Sequence, residues 1–328
     1  MSQAPGDEAV AAPARSSVGK WLLWGLRIAG TALGFGYIAY VVDADELWGA
    51  LTKVSPLAFA AACATTSVNL GVGAVRWRVL LAAYGAPRRP SLRLLVRAYY
   101  IGFFYNNYLP GGVGGDLVRG VVTRRSFGDE GTTASVTVVL VERALGLAGL
   151  LLLVSLTSLI RPIEGTENVL PYSAVGLTLA AAGIGSVALG RRVARFAPGR
   201  IGALLGSLPE IVRPGPFAAA FAISLATQSL VAVTGWFLLA SVSDGAVGLG
   251  DAFVLVPLAA AAAFFPLSVG GAGVREAAFV GLFVSALGME RADAVAVSLA
   301  MWGSQLAIGA VGGLVQLLVP IEPEPAAT

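Results

Sequence analysis

The sequence predicts an all-α integral membrane protein, arranged as an inverted repeat of six transmembrane helices and two re-entrant helix pairs. Three observations predict it. The 328 residues are 56% hydrophobic and only 12% charged, whereas a soluble domain carries about a quarter charged residues. Long charge-poor runs recur at about the 20-residue length that a helix rising 1.5 Å per residue needs to cross a roughly 30 Å hydrocarbon core. The pattern P-x-x-V-G-G-x-x-V-R occurs twice without gaps, on Pro110, Val113, Gly114, Gly115, Val118 and Arg119 and on Pro266, Val269, Gly270, Gly271, Val274 and Arg275, 156 residues apart.

Taken in order, residues 1–15 are rich in Ala, Pro and Ser and read as a disordered tail. Arg15 and Lys20 then precede the apolar run 21–42. A cleaved signal peptide is the alternative here, but the run exceeds the usual h-region and its end, Val41, Val42, Asp43, Ala44, Asp45, is a poor cleavage site. It reads as a retained first span. The runs 57–80, 131–160, 169–189, 217–241 and 294–319 are the other five, each continuous enough to be a helix in lipid. Arginines follow the second run (Arg76, Arg78, Arg88, Arg89, Arg93, Arg97) and the fourth (Arg191, Arg192, Arg195, Arg200, Arg213), while the alternate loops hold Asp43, Asp45 and Glu46, Glu164 and Glu167, and Asp244 and Asp251. The positive-inside rule puts the arginines and both termini in the cytoplasm of a cell-membrane protein.

Two segments interrupt this count. Ala98 to Val118 is broken by Asn106, Asn107, Pro110, Gly111, Gly112, Gly114 and Gly115. A full crossing there would put Arg119, Arg124 and Arg125 outside, so a re-entrant pair is expected instead. Asp251 to Arg291 is broken by Pro257, Pro266, Gly270, Gly271, Gly273, Arg275 and Glu276, and reads as a second pair entered from the other side. Residues 16–320 then form one membrane domain, with repeats at about 20–162 and 168–320 and a short tail at 321–328. Three crossings per half invert the second copy, an arrangement met in secondary transporters.

Several function classes are excluded. Histidine is absent and Cys63 is the single cysteine, which removes intrachain disulfides and His-based zinc or triad chemistry. No metal-ligand set, catalytic constellation or cofactor motif is present; GGVGGD lacks the Lys-Ser/Thr of a P-loop. A net charge of +3, with arginines beside apolar runs, indicates topology rather than nucleic-acid binding.

The candidate head-group contacts are Gly111, Gly112, Gly114, Gly115, Asp116 and Arg119 in the first broken segment, and Ser268, Gly270, Gly271, Gly273, Arg275 and Glu276 in the second. The glycines either permit close helix packing or leave unwound backbone whose N–H groups cradle an anion. Arg119 and Arg275 either snorkel to the interface or hold a phosphate through guanidinium forks; in the second case the inverted repeat predicts that they converge on one cavity. Asn106 and Asn107 either cross-link helices or touch the head group. Glu142 and Arg143 are functional charges at depth if their span begins near Gly131, and interfacial if it begins at Ala144. Asp116 and Glu276 are either coupling carboxylates or, for Asp116, a helix cap. Arg76, Arg78, Arg88 and Arg89 read as a cytoplasmic collar, for which a topology role suffices.

The runs RWRVLL (76–81), FFYNNYLPGGVGGDLVRG (103–120), VERALGL (141–147) and PLSVGGAGVREA (266–277) resemble the membrane part of lysylphosphatidylglycerol synthases, the flippase-like domain also found as free-standing membrane proteins. The resemblance covers nearly the whole chain from about residue 20. It implies movement of a polar-head lipid, phospholipid or lipid-linked glycan carrier, between leaflets, with anionic-head-group membrane lipids as partners. The chain ends at Thr328 without an aminoacyl transferase domain, so lysine transfer is not expected; a separate lipid-modifying enzyme is a compatible partner, as is a homo-oligomer. Two rival functions share these features: an intramembrane enzyme using Asp116, Glu142 or Glu276 as base, and a scaffold presenting lipid to a separate synthase.

Overall fold

A computed structural model describes residues 17–109, 114–124, 126, 131–162, 169–199, 202, 206, 210–262 and 273–319. Among these lie eleven α-helices and no strand: α1 Ser17–Val41, α2 Ala44–Lys53, α3 Pro56–Ala83, α4 Leu92–Tyr108, α5 Gly114–Thr123, α6 Gly131–Ile160, α7 Val169–Val193, α8 Pro214–Val242, α9 Leu249–Ala261, α10 Val274–Leu287 and α11 Arg291–Leu318. The chain is an all-helical membrane protein. Five described stretches are long and apolar enough to cross a bilayer: Pro56–Ala83, Val138–Ile160, Leu170–Phe196, Pro214–Val242 and Arg291–Leu318. In α1 the apolar stretch among described side chains is the shorter Ile28–Val41.

Local chemistry sets the helix ends. Ser55 and Ser91 sit just before α3 and α4, and each hydroxyl accepts a hydrogen bond from a first-turn N–H, of Ala58 and Leu94, at 3.2 Å. Pro56 and Pro214 occupy the first positions of α3 and α8, where no donor is lost. Gly288 closes α10 in the left-handed region at φ 62°. The acidic segment after the first run is itself a helix, α2, which the sequence reading left as loop. Asp45 and Glu46 lie in its first turn and Lys53 in its last, the charge order that suits the helix dipole. Lys53 Nζ donates to Asp293 Oδ1 at 2.8 Å, fastening α2 to α11.

Each broken segment is a pair of short helices, about 26 and 15 Å long for α4 and α5 and about 20 and 21 Å for α9 and α10 at 1.5 Å per residue. In the first pair the chain reverses. Tyr105 adjoins Gly114, Gly102 adjoins Gly115, and Tyr99 lies under Arg119, so positions falling along α4 meet positions rising along α5. This antiparallel hairpin is closed by two glycines: a Cβ on Gly115 would collide with the Gly102 carbonyl. In the second pair, α9 and α10 share one apolar core, including Val256, Ala259, Phe279 and Phe283, all fully buried.

Packing partners fall into matched sets when the first half is shifted onto the second, α3 onto α8, α4 onto α9, α5 onto α10 and α6 onto α11. Pair α4–α11 matches α9–α6, α5–α6 matches α10–α11, α3–α4 matches α8–α9, α3–α11 matches α8–α6, and α3 packs on its counterpart α8. The first helix of each half departs from this rule: α7 packs on α6, whereas α1 packs on α10 through Gly34 and Gly273, which leave no room for a Cβ between them.

Candidate functional site

The second helix of the hairpin, α5, presents its one arginine to a polar cluster built from five helices. Arg119 lies in the second turn of α5, its guanidinium 4.7 Å from the Tyr99 ring centroid and 5.5 Å from that of Trp77. Arg119 Nη1 donates to Glu142 Oε2 at 2.6 Å, and Nη2 donates to Asp116 on the same helix. The other oxygen of Glu142 accepts from Arg76 Nη2 at 2.7 Å and from the Tyr99 hydroxyl. Arg76 Nη1 in turn reaches Ser224 Oγ and Thr227 Oγ1 on α8 at 3.2 and 3.3 Å. Arg143 Nε donates to Asp116 Oδ2 at 2.7 Å. Charges therefore alternate along one chain of contacts: Arg143, Asp116, Arg119, Glu142, Arg76.

Burial explains why the contacts are so complete. Glu142 is 2% exposed and Asp116 7%, and a carboxylate this deep costs several kcal/mol unless it is paired and hydrogen-bonded. Because α6 begins at Gly131, Glu142 lies in the fourth turn of that helix. Its neighbour Arg143 points the other way, with 42% of its side chain exposed. The cluster is thus closed at Glu142 and reaches solvent or lipid at Arg143. Three guanidinium groups act on two carboxylates here, and planar forks of this kind bind phosphate through paired N–H bonds.

The second motif builds a different cluster. Arg275, 3% exposed, donates to Glu276 Oε1 at 2.6 Å and to Ser298 Oγ at 3.2 Å, and lies 5.7 Å from the Trp302 ring. The other oxygen of Glu276 accepts the Gly273 N–H at 2.6 Å, capping α10. Gly273 itself needs no side chain, having φ 84° and the backbone of Gly34 against it. Arg275 and Ser298 stand 23 positions apart, as do Arg119 and Glu142, so the two arginines reach equivalent positions on α11 and α6.

The sequence-predicted residues divide accordingly. Asp116, Arg119, Glu142 and Arg143 are brought together; Arg275 and Glu276 are paired elsewhere. Each arginine meets a carboxylate of its own half, and the described contacts do not join the two. Asn106 cross-links the hairpin, its Oδ1 accepting the Gly115 N–H at 2.8 Å. Asn107 donates to the Phe103 carbonyl of its own helix at 2.9 Å. Gly114 and Gly115 pack tightly on α4, the close-packing alternative. Gly111, Gly112, Ser268, Gly270 and Gly271 lie outside the described residues.

Sequence reasoning placed Arg76 in the cytoplasmic collar; its side chain is instead 13% exposed and bonded to Glu142, while Arg78 is exposed. Its place within the apolar run 57–80, ahead of the true end of α3 at Ala83, was the available signal. Tyr99, Trp77, Ser224, Thr227, Ser298 and Trp302 were missed, since aromatic and hydroxyl residues are ordinary in membrane helices. Groups of three or more residues able to hold a metal ion do not occur among the described residues.

The family model for the lysylphosphatidylglycerol synthase TM region matches residues 23–313. A search of curated proteins finds no match.

Proposed function

Because the chain belongs to the lysylphosphatidylglycerol synthase transmembrane-region family, we propose that it moves a lipid with a phosphate-bearing head group between the two leaflets, and that the cluster of Arg76, Arg119 and Arg143 receives the phosphate. The carrying observation is Arg119, a buried guanidinium held on a broken-helix hairpin, stacked on aromatic rings and bonded to two carboxylates. Buried charge at membrane depth is costly and marks substrate pathways, and discontinuous helices are where transporters place their sites.

In this reading α1, α3, α6, α7, α8 and α11 cross the cell membrane with both termini cytoplasmic, and α4–α5 and α9–α10 re-enter from opposite sides. The short lengths of the paired helices and the reversal of α4 on α5 support re-entry. The partners are anionic membrane lipids, with a separate lipid-modifying enzyme and a homo-oligomer as further expectations. The protein performs no covalent chemistry on its cargo: Asp116 and Glu142 are both committed to guanidinium groups, which disfavours a general base.

The test is reconstitution of purified protein into phosphatidylcholine vesicles carrying a trace of NBD-labelled phosphatidylglycerol, with external dithionite reading transbilayer movement. Protein-containing vesicles should lose inner-leaflet fluorescence faster than protein-free vesicles. Equal rates would refute the proposal.

A further inference from the structure

The two halves solve one problem with different chemistry. In both, the hairpin arginine must be tied to the long helix that follows it, 23 residues on. In the second half a neutral hydroxyl, Ser298, makes that tie, and the counter-charge comes from Glu276, next to Arg275 on the same helix. Glu276 sits on the same helix as its arginine and caps that helix, so this ion pair stays within one element. In the first half the position equivalent to Glu276 is Gly120; the same-helix counter-charge there is Asp116, one turn before Arg119, and a second carboxylate, Glu142, stands across on α6. The tie itself therefore does not require a carboxylate.

What Glu142 adds is an anion shared between elements. Its two oxygens receive Arg119 from α5, Arg76 from α3 and the Tyr99 hydroxyl from α4. Each of these donors suits a phosphate oxygen equally well. The carboxylate also spans the joint between the hairpin and α6, so withdrawing it would leave that joint to the Asp116–Arg143 pair. Arg143, one residue further along α6, is half exposed and bonded to Asp116, which puts a cation at the mouth of the same cluster.

We propose that Glu142 is an internal stand-in for the head-group phosphate: at rest its carboxylate fills the anion position between Arg76, Arg119 and Tyr99, and the phosphate of an incoming lipid displaces it. This rests on the proposed lipid-moving function and deepens it. Exchange of one anion for another lets a charged head group enter the membrane interior without leaving the guanidinium groups unpaired, and the returning carboxylate expels the head group afterwards. The first half is thus the exchangeable site and the second half a fixed counterpart.

An internal competitor lowers apparent affinity in proportion to the time it occupies the site, so removing it has an unusual sign. Binding of NBD-labelled phosphatidylglycerol to the purified full chain in neutral detergent is followed by fluorescence anisotropy, and its movement in phosphatidylcholine vesicles by the dithionite assay. Glu142→Gln and Glu142→Ser, the second copying the solution of the other half, are expected to bind the probe about tenfold more tightly and to move it about tenfold more slowly. Both variants should melt earlier than wild type in neutral detergent and recover on adding phosphatidylglycerol. Unchanged or weaker binding in the variants, with wild type binding the probe, overturns the stand-in role alone. Failure of both variants to insert and fold also overturns it, since the carboxylate would then be a requirement of the fold. Absence of binding by wild type overturns the lipid-moving function and this inference with it.

Discussion

Arg119 serves two carboxylates with two separate nitrogens while its flat face covers Tyr99. A lysine keeps the charge but offers a single ammonium, which cannot span Glu142 and Asp116 or stack in the same way. Arg119→Lys should therefore retain part of the transport seen by dithionite, and Arg119→Gln should lose nearly all of it. Removing this partner leaves Glu142 with fewer counter-charges at depth, and breaking a buried pair costs about 3–5 kcal/mol, so Arg119→Gln should also melt earlier in detergent. Asn106 tests a different role. It holds the Gly115 N–H across the hairpin, and a buried donor left unmade costs about 1–3 kcal/mol. Asn106→Ala should lower thermal stability by an amount in that range, measured by the melting of purified protein. The candidacy of Arg119 and Glu142 was legible from charge inside apolar sequence. Their mutual contact was not, because the two sit on different helices and only the packing of α5 on α6 brings them together.

At the scale of elements, the glycines divide by what surrounds them. Gly115 faces the Gly102 carbonyl across the hairpin, and an added Cβ would lie 2.8 Å from the Asn106 amide. Gly71, in the middle of α3, has nothing within 4 Å of such a Cβ. Gly115→Ala should splay the hairpin, lowering both melting temperature and transport. Gly71→Ala should leave transport intact and match or slightly exceed wild-type stability, because alanine is favoured over glycine in helices by up to about 1 kcal/mol. Clustered prolines and glycines marked the interruptions between α4 and α5 and between α9 and α10, but Pro257, read as one of the breaks, lies inside α9. The sequence could not show that Gly115 is there for Gly102, thirteen positions back on another element. Helix α2 was hidden for a similar reason: its ten residues are too short and too charged to register against the apolar runs beside them, and its hold on α11 through Lys53 and Asp293 is a tertiary fact.

Across the whole molecule, the 156-residue offset read from two motifs carries each long helix of the first half onto one of the second, and the packing partners follow for all but the first helix of each half. That much was legible because a repeat preserves spacing. The chemical difference between halves was not, since the motifs look alike and the divergence lies at positions outside them, Glu142 against Ser298 and Gly120 against Glu276. The orientation follows from the arginine distribution. In a Cys63-free background, single cysteines at Glu46 and Asp244 should react with an impermeant maleimide added outside whole cells, and one at Glu322 should not. Labelling at Glu322 would break the even number of crossings.

The most direct measurement of the central claim is a structure of the protein in nanodiscs containing phosphatidylglycerol, in which the head-group phosphate is located against the two arginine clusters. Phosphate is expected within hydrogen-bonding distance of Arg119 and Arg76, with the Glu142 carboxylate displaced from one or both. Phosphate held at Arg275, or only along the surface arginines with the Arg119–Glu142 pair undisturbed, would contradict the claim.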